Sequence, residues 1–283
     1  MLDYVLEPGK FGEKLVLTGE WDDRLIGLML ERSCTELEIN CARGFRGPDI
    51  AFLARVPFLT SLVLIAYHLA DVAPIHSLHN LRAIDIGTRP EKGEVDFSQF
   101  PMLEDCGLEW RPKARSLFGC RSLRRLWLNK YSGHDCSAFR ELSRIEDLYL
   151  ASAPLYTIRE LSVLTSLRTL GLYYLRKLAS VEGVEGLAGL EVLDVENCRL
   201  ISSIEPVRGL TRLRRLTVAD CGDIQTLEPL NGLPQLEWFL AWGSTSIVDG
   251  DLTPLTRLPR LVNVALMNRR HYSPGREFLA RFD

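Results

Sequence analysis

Apolar residues recur along this chain at two nested intervals. Leu167-x-x-Leu170-x-Leu172, Leu190-x-x-Leu193-x-Val195 and Leu213-x-x-Leu216-x-Val218 start 23 residues apart, and Leu236-x-x-Phe239 follows at the same distance. Within each block the apolar residues alternate, which predicts a short half-buried strand. Between blocks they keep step as well: Leu175, Leu178, Val181, Val184 and Leu187 fill one gap, and Cys198, Ile201, Ile204, Val207 and Leu210 the next. A constant period of 20–50 residues predicts a solenoid, in which each strand buries its apolar face only by stacking on its neighbours.

Eleven strand motifs can be counted, beginning at Cys34, Leu59, Leu81, Leu103, Leu123, Ile145, Leu167, Leu190, Leu213, Leu236 and Leu261. The shortest interval is 20 residues and the longest 25, so only about a dozen residues remain for each return path. That excludes long helices on the back of the repeats and predicts short 3₁₀ or single-turn elements. Ala73-Pro74-Ile75, Glu205-Pro206-Val207, Glu228-Pro229-Leu230 and Thr253-Pro254-Leu255 agree, since proline suits the first position of a helical turn. Two basic loops interrupt the period, Arg43–Pro48 and Trp110–Arg115, each either a local irregularity or a contact loop.

The ends predict caps. Residues 1–33 read as a strand at Lys14–Thr18, a turn at Gly19, and an amphipathic helix over Trp21–Ser33. Its apolar residues are Leu25, Leu28 and Leu30, and Asp22 and Asp23 sit in its first turn. Residues 34–268 are the repeats. Residues 269–283 end in a helix with Ser273 as N-cap and Pro274 at its first position, placing Phe278, Leu279 and Phe282 on the last repeat. The three parts form one continuous domain.

The blocks Leu227-Glu228-Pro229-Leu230-x-x-Leu233-Pro234-x-Leu236 and Leu252-Thr253-Pro254-Leu255-x-x-Leu258-Pro259-x-Leu261 resemble those of short leucine-rich repeat proteins, the internalin-like class. The resemblance covers about residues 34–268. It implies an α/β repeat solenoid: a right-handed leucine-rich-repeat horseshoe or arc with a parallel concave sheet of about 11 strands, a short 3₁₀ or loop convex side, and helical caps. It also implies protein recognition on the concave sheet. The chain departs from the family in lacking a consistent asparagine after the strand; Cys198, Cys221, Tyr67, Arg89, Tyr131 and Ala153 stand there instead.

Position two of the motif carries alternating charge through eight repeats: Arg82, Glu104, Arg124, Glu146, Arg168, Glu191, Arg214 and Glu237. Equivalent positions of neighbouring parallel strands lie about 4.8 Å apart, so this row predicts an inter-repeat ion-pair ladder on the rim where the chain enters each strand.

Positions three, five and seven should face out of the concave sheet. The acids there are Glu36, Glu38, Asp85, Asp105, Glu109, Asp147, Asp194 and Glu196, against only Arg125 and Arg215, and five aromatics join them: Trp127, Tyr149, Tyr173, Trp238 and Trp242. The whole chain has a net charge of only −3, so the excess of acids is local. Exposed apolar patches mark interaction sites, and tyrosine, tryptophan and arginine are the usual anchors of protein interfaces. The expected partner-binding residues are Glu38, Asp85, Glu109, Arg125, Trp127, Tyr149, Tyr173, Asp194, Glu196, Arg215, Trp238 and Trp242. The expected function is a non-catalytic scaffold for a protein with a basic face, possible roles including an inhibitor or immunity-type protein. The alternative is a carbohydrate- or small-ligand-binding protein using Trp238, Trp242 and Tyr173 as platforms.

Other chemistry finds little support. A weakly acidic chain has no basic footprint for nucleic acid. No stretch approaches the roughly 20 apolar residues of a membrane span. No phosphate loop, zinc cysteine set or catalytic constellation is present, and His76-x-x-His79 has no further ligand at metal spacing, so neither an enzyme nor a cofactor is expected. Four of the seven cysteines, Cys34, Cys106, Cys198 and Cys221, occupy repeat core positions, and no export signal is evident at the start, so a cytoplasmic location is expected.

Overall fold

The computed structural model of the chain describes residues 2–87 and 94–282. It forms two compact units, Met1–Leu128 and Asn129–Asp283. In the first, β1 (Tyr4–Pro8) runs antiparallel to β2 (Glu13–Leu17). β2 then pairs in parallel with β3 (Glu36–Asn40), followed in chain order by β4 (Ser61–Ile65), β5 (Ala83–Ile86) and β6 (Asp105–Glu109). The next strand is β7 (Arg125–Asn129), whose first four residues are the last of this unit. In the second unit β8 (Asp147–Ala151), β9 (Thr169–Tyr173), β10 (Val192–Glu196), β11 (Arg215–Ala219), β12 (Trp238–Ala241) and β13 (Asn263–Leu266) pair in parallel, each with the next.

β3 to β13 are the eleven strands of the motifs. In the second unit the register matches motif position to motif position, with Leu170 opposite Leu193 and Leu193 opposite Leu216. Positions four and six point inward: Leu37, Ile39, Leu62, Leu64, Leu148, Leu150, Leu170 and Leu172 are fully buried. Each fully buried side chain of this size contributes roughly 1.5–3 kcal/mol, so these columns are the main source of stability. The return paths are short, mostly single 3₁₀ turns such as Ala73–Ser77, Glu205–Val207 and Glu228–Gly232, each with proline in its first turn. The leucine-rich repeat solenoid is thus the fold.

The strands end on a turn that the hydrophobic pattern does not reveal. Lys130, Ser152, Tyr174, Asn197, Asp220 and Gly243 occupy position eight of successive repeats, and all have φ between 48° and 69°. This left-handed conformation turns the chain out of the sheet and aims the position-eight N–H at the next repeat. Ser152 donates to Tyr173 O (2.9 Å), Tyr174 to Glu196 O (2.9 Å) and Asn197 to Ala219 O (2.9 Å). At position nine, where the resemblance would put asparagine, the Cys198 thiol lies 3.5 Å from Leu172 O and the Cys221 thiol 3.5 Å from Val195 O. Burial pushes the two thiols up to about 12 and about 11, so both stay protonated donors.

The charge row forms discrete pairs. Arg82 meets Glu104 at 2.8 Å, Arg168 meets Glu191 at 2.5 Å and Arg214 meets Glu237 at 2.9 Å. These three arginines each reach forward one repeat, and among the described residues no bridge joins Glu191 to Arg214, so the expected continuous ladder is broken there. The backbone underneath is continuous: Arg168 O accepts from Glu191 N and Val192 N, and Glu191 O accepts from Arg214 N and Arg215 N.

The caps differ from expectation in detail. The strand at Lys14–Thr18 is present as β2, but β1 before it makes a hairpin. The helix α1 spans Arg24–Glu31 and buries Leu25 and Met29, leaving Leu30 60% exposed. Asp22 does not cap it; its carboxylate binds the Arg24 side chain, which with the Arg24 N–H holds its carboxyl down at about 2. A one-turn helix, α2 (Thr253–Thr256), precedes β13. At the C-terminus Ser273 pairs as a backbone bridge with Asp251, its carbonyl accepting from Leu252 N, so it is no N-cap. The final helix α3 is only Arg276–Leu279. Phe278 is buried, and the buried Tyr272 accepts the Ile247 N–H on its hydroxyl at 3.0 Å.

Candidate functional site

The open face of the first unit is partly covered by its own N-terminus. β1 and β2 are joined by Gly9–Gly12, closed by Gly9 N donating to Gly12 O (2.7 Å). Glu36, the first residue of β3, accepts the N–H groups of Lys10 (2.8 Å) and Phe11 (2.6 Å). A Cβ on Gly9 would meet the Glu36 carboxylate at 2.5 Å, so a larger residue here would push that carboxylate off the tip. The Arg82 guanidinium lies 4.3 Å from the Phe11 ring centre, and Lys10 extends to an ion pair with Asp105 on β6. The position-three residues between, Ser61 and Ala83, are small and only 6% and 7% exposed.

Glu38 was expected to face a partner, and the structure corrects this. It is 7% exposed and accepts from Lys14 (2.6 Å) and Asn40 (3.0 Å), because β2 adds one more strand beside β3 and brings a lysine over it. Glu36 is buried for the same reason. The hairpin therefore neutralises part of the acidity read from the sequence.

Beyond the hairpin tip, a hollow of about 390 Å³ is lined by Lys10, Lys14, Asp85, Asp105 and Trp127 among others. Asp85 leans across Gly107, where a Cβ would lie 2.8 Å from its carboxylate. Burial, and then the Glu38 charge, push its carboxyl upward. Arg125 is exposed, 4.0 Å from Asp105; Trp127 is 44% exposed, and Glu109 is half-buried.

In the second unit the position-five row reads Tyr149, Gly171, Asp194, Thr217. Gly171 leaves a gap that the tyrosines fill: a Cβ there would meet Tyr149 Cδ1 at 2.6 Å and Tyr173 Cε2 at 2.7 Å. Tyr173 and Glu196 face each other across the β9–β10 pair. Burial pushes the Tyr173 hydroxyl upward, with the Asp194 and Glu196 charges adding to it. Burial, then Asp194 and Asp220, push the Glu196 carboxyl upward. Asp194 Oδ1 is buried without a hydrogen-bond partner among the described residues. Arg215 lies over Trp238 with its guanidinium 5.2 Å from the ring centre, and Trp242 is 55% exposed.

Of the twelve expected contact residues, eleven thus lie at least partly open on the outward sheet face of their own unit, and Glu38 does not. The sequence reading missed Lys10 and Phe11; the turn Pro8-Gly9 followed by Gly12 was the available signal. Each loop that breaks the period is anchored by an aromatic, while most of its basic side chains stay exposed. Phe45 is fully buried, with His68 bonded to Gly47 O (2.9 Å), and Trp110 packs on Phe118 at 5.3 Å. His76 accepts from Asp96 N (2.9 Å) and His79 contacts Gln99 O (3.1 Å), so the two rings serve the next repeat separately. Among the described residues no group of three or more His, Cys, Asp or Glu could hold a metal, and no helix is long and apolar enough to cross a membrane.

The strand pairing and short return turns of each unit are those of a short leucine-rich repeat fold. No protein-family model matches the sequence, and no curated protein matches it. Solved structures do. The chain is similar to an internalin, InlF, from Listeria monocytogenes (TM-score 0.69, 20% identity, 89% of this chain and 75% of that one). It is similar to the functional domain of InlJ from Listeria monocytogenes, which includes a cysteine ladder (TM-score 0.59, 20% identity, 83% of this chain and 50% of that one). A leucine-rich repeat protein of Leptospira interrogans is also similar (TM-score 0.55, 17% identity, 90% and 78% covered). At these identities the likeness is one of fold.

Proposed function

We propose that the open sheet face is a recognition surface for a protein partner presenting basic side chains. The observation that carries this is the pairing of Asp194 and Glu196 beside Tyr149 and Tyr173. Two carboxylates crowd together, one with a buried oxygen lacking a donor, and Glu196 holds its proton more tightly than usual. A lysine or arginine from a partner would supply the missing charge, and the tyrosine rings would flank it. In the same unit the exposed Trp238 and Trp242 add the large rigid contacts that dominate interface energetics. Arg215 on Trp238 keeps one platform oriented in advance.

An inhibitor or immunity-type protein for a basic toxin or nuclease is the concrete form of this proposal, since an acidic surface speeds association with a basic target. A cytoplasmic site of action belongs to the same proposal, and the seven free cysteines support it. Affinity capture with the wild-type chain and with Trp127→Ala, Tyr149→Ala and Trp238→Ala combined provides the test. The wild type should retain basic proteins that salt releases and the triple variant loses. Equal capture by both, or selective retention of glycans on an array instead, overturns the reading.

A further inference from the structure

A second exposed surface of the second unit carries the opposite charge. It lies where β9 and β10 leave the sheet, and its prominent side chain is Tyr174. Lys130, Ser152, Asn197, Asp220 and Gly243 hold the equivalent left-handed position with polar side chains or none, so Tyr174 is the one aromatic among these six. A tyrosine there, at φ 57°, gains nothing for the turn, because bulky side chains disfavour positive φ. Its ring is not packed away either: Tyr174 is 53% exposed, and among the described residues its side chain has no hydrogen bond or ring contact. Strain without a structural return points to a use for the side chain.

The neighbours give that use a chemistry. Arg176, Lys177 and Arg199 are exposed, and none has a carboxylate within 4.0 Å among the described residues. The Lys177 ammonium is held over Tyr156, 5.0 Å from the ring centre and 3.0 Å from its hydroxyl, which fixes the charge in place. Tyr156 and Leu200 are themselves 56% and 53% exposed. Between Ser152–Pro154 on one side and Tyr174, Arg176 and Lys177 on the other lies a hollow of about 380 Å³. Three unneutralised cations and exposed apolar groups thus gather on a chain whose net charge is −3.

We infer that this rim docks an acidic polypeptide segment, its carboxylates meeting Arg176, Lys177 and Arg199 and an apolar side chain lying against Tyr174. This surface is independent of the acidic open face and needs no partner there.

The test is fluorescence anisotropy of the full chain with a labelled peptide of alternating Asp and Glu around one Phe. Saturable binding that weakens as salt rises is expected. Arg176→Glu with Lys177→Glu should weaken it about tenfold or more, whereas Arg208→Glu with Arg257→Glu, the same charge change elsewhere, should not. Tyr174→Gly should keep or raise the melting temperature, because glycine suits positive φ, while weakening the peptide. The inference is overturned by absent saturable binding, by both double variants weakening it equally, or by Tyr174→Gly binding as well as wild type. Binding of inorganic polyphosphate or single-stranded oligonucleotide with no binding of the peptide also overturns it.

Discussion

Lys10, at the tip of the first hairpin, forms an ion pair with Asp105 on β6, three strands beyond the one that anchors the tip through Glu36. The arrangement places a cation of the chain itself against the face proposed to receive cations from a partner. Burial lowers the Lys10 ammonium from its usual range, and Arg125 and Arg82 lower it further, so the ion pair is a weak latch on a firmly held loop. Lys10→Ala should therefore change stability by no more than about 1 kcal/mol in urea denaturation. Gly9→Ala, which drives a Cβ into Glu36, should cost more than Lys10→Ala. Equal losses would show that the ion pair, and not the Glu36 anchor, holds the tip.

The buried columns and the rim charges should separate by size of effect. Leu193 is 1% exposed, and Leu193→Ala should cost about 2–5 kcal/mol. The Arg168 side chain is 56% exposed, and Arg168→Glu, which sets two carboxylates together at Glu191, should cost about 1 kcal/mol or less. Chemical denaturation of both variants checks this, and comparable losses would mean the charge pairs stabilise the stack as much as the leucines do.

The left-handed turns make a separate prediction at Ser152, which is exposed and has φ 55°. Ser152→Val should cost about 1–2 kcal/mol, because a β-branched residue resists this conformation, while Ser152→Gly should be neutral or stabilising. A tolerant response to valine would show that the turn is free to relax.

Gly171 is the floor under the two tyrosines. Gly171→Ala should displace Tyr149 and Tyr173, costing about 1–3 kcal/mol and altering the near-ultraviolet circular dichroism. An unchanged spectrum would mean that the rings do not lie across the glycine.

Glu196 gives a pH-dependent prediction. Its carboxyl is raised in the folded protein, so the folded chain binds that proton more tightly than the unfolded chain. The resulting stabilisation is full below the unfolded value of about 4.3 and is lost as pH rises through the folded value. Glu196→Gln, which stays neutral, should be more stable than wild type at pH 7 and indistinguishable from it at pH 3. The same variant should bind the basic partner more weakly, so stability and binding move in opposite directions.

Much of this architecture was legible in local pattern. The spacing of Leu170, Leu193 and Leu216 specifies strand, register and buried face together, because a solenoid repeats one local solution and each repeat contacts its neighbours in the same way. The alternation of Arg168, Glu191, Arg214 and Glu237 likewise identified the rim, although not that Arg168 and Arg214 would each pair forward. Alternation also placed Trp127, Asp194 and Trp238 on the outward face. What remained hidden depended on contacts without a period. Glu38 reads as an open acid until β2 brings Lys14 beside it, and nothing near residue 105 in sequence announces Lys10. The fit of Tyr149 and Tyr173 over Gly171 rests on ring volumes meeting across a strand pair, and the exposed Tyr174 rests on a backbone turn shared by residues as unlike as Lys130 and Gly243. Periodicity encodes the stacking that each repeat must satisfy; charge neutralisation, ring packing and turn geometry are settled only when distant side chains occupy the same space.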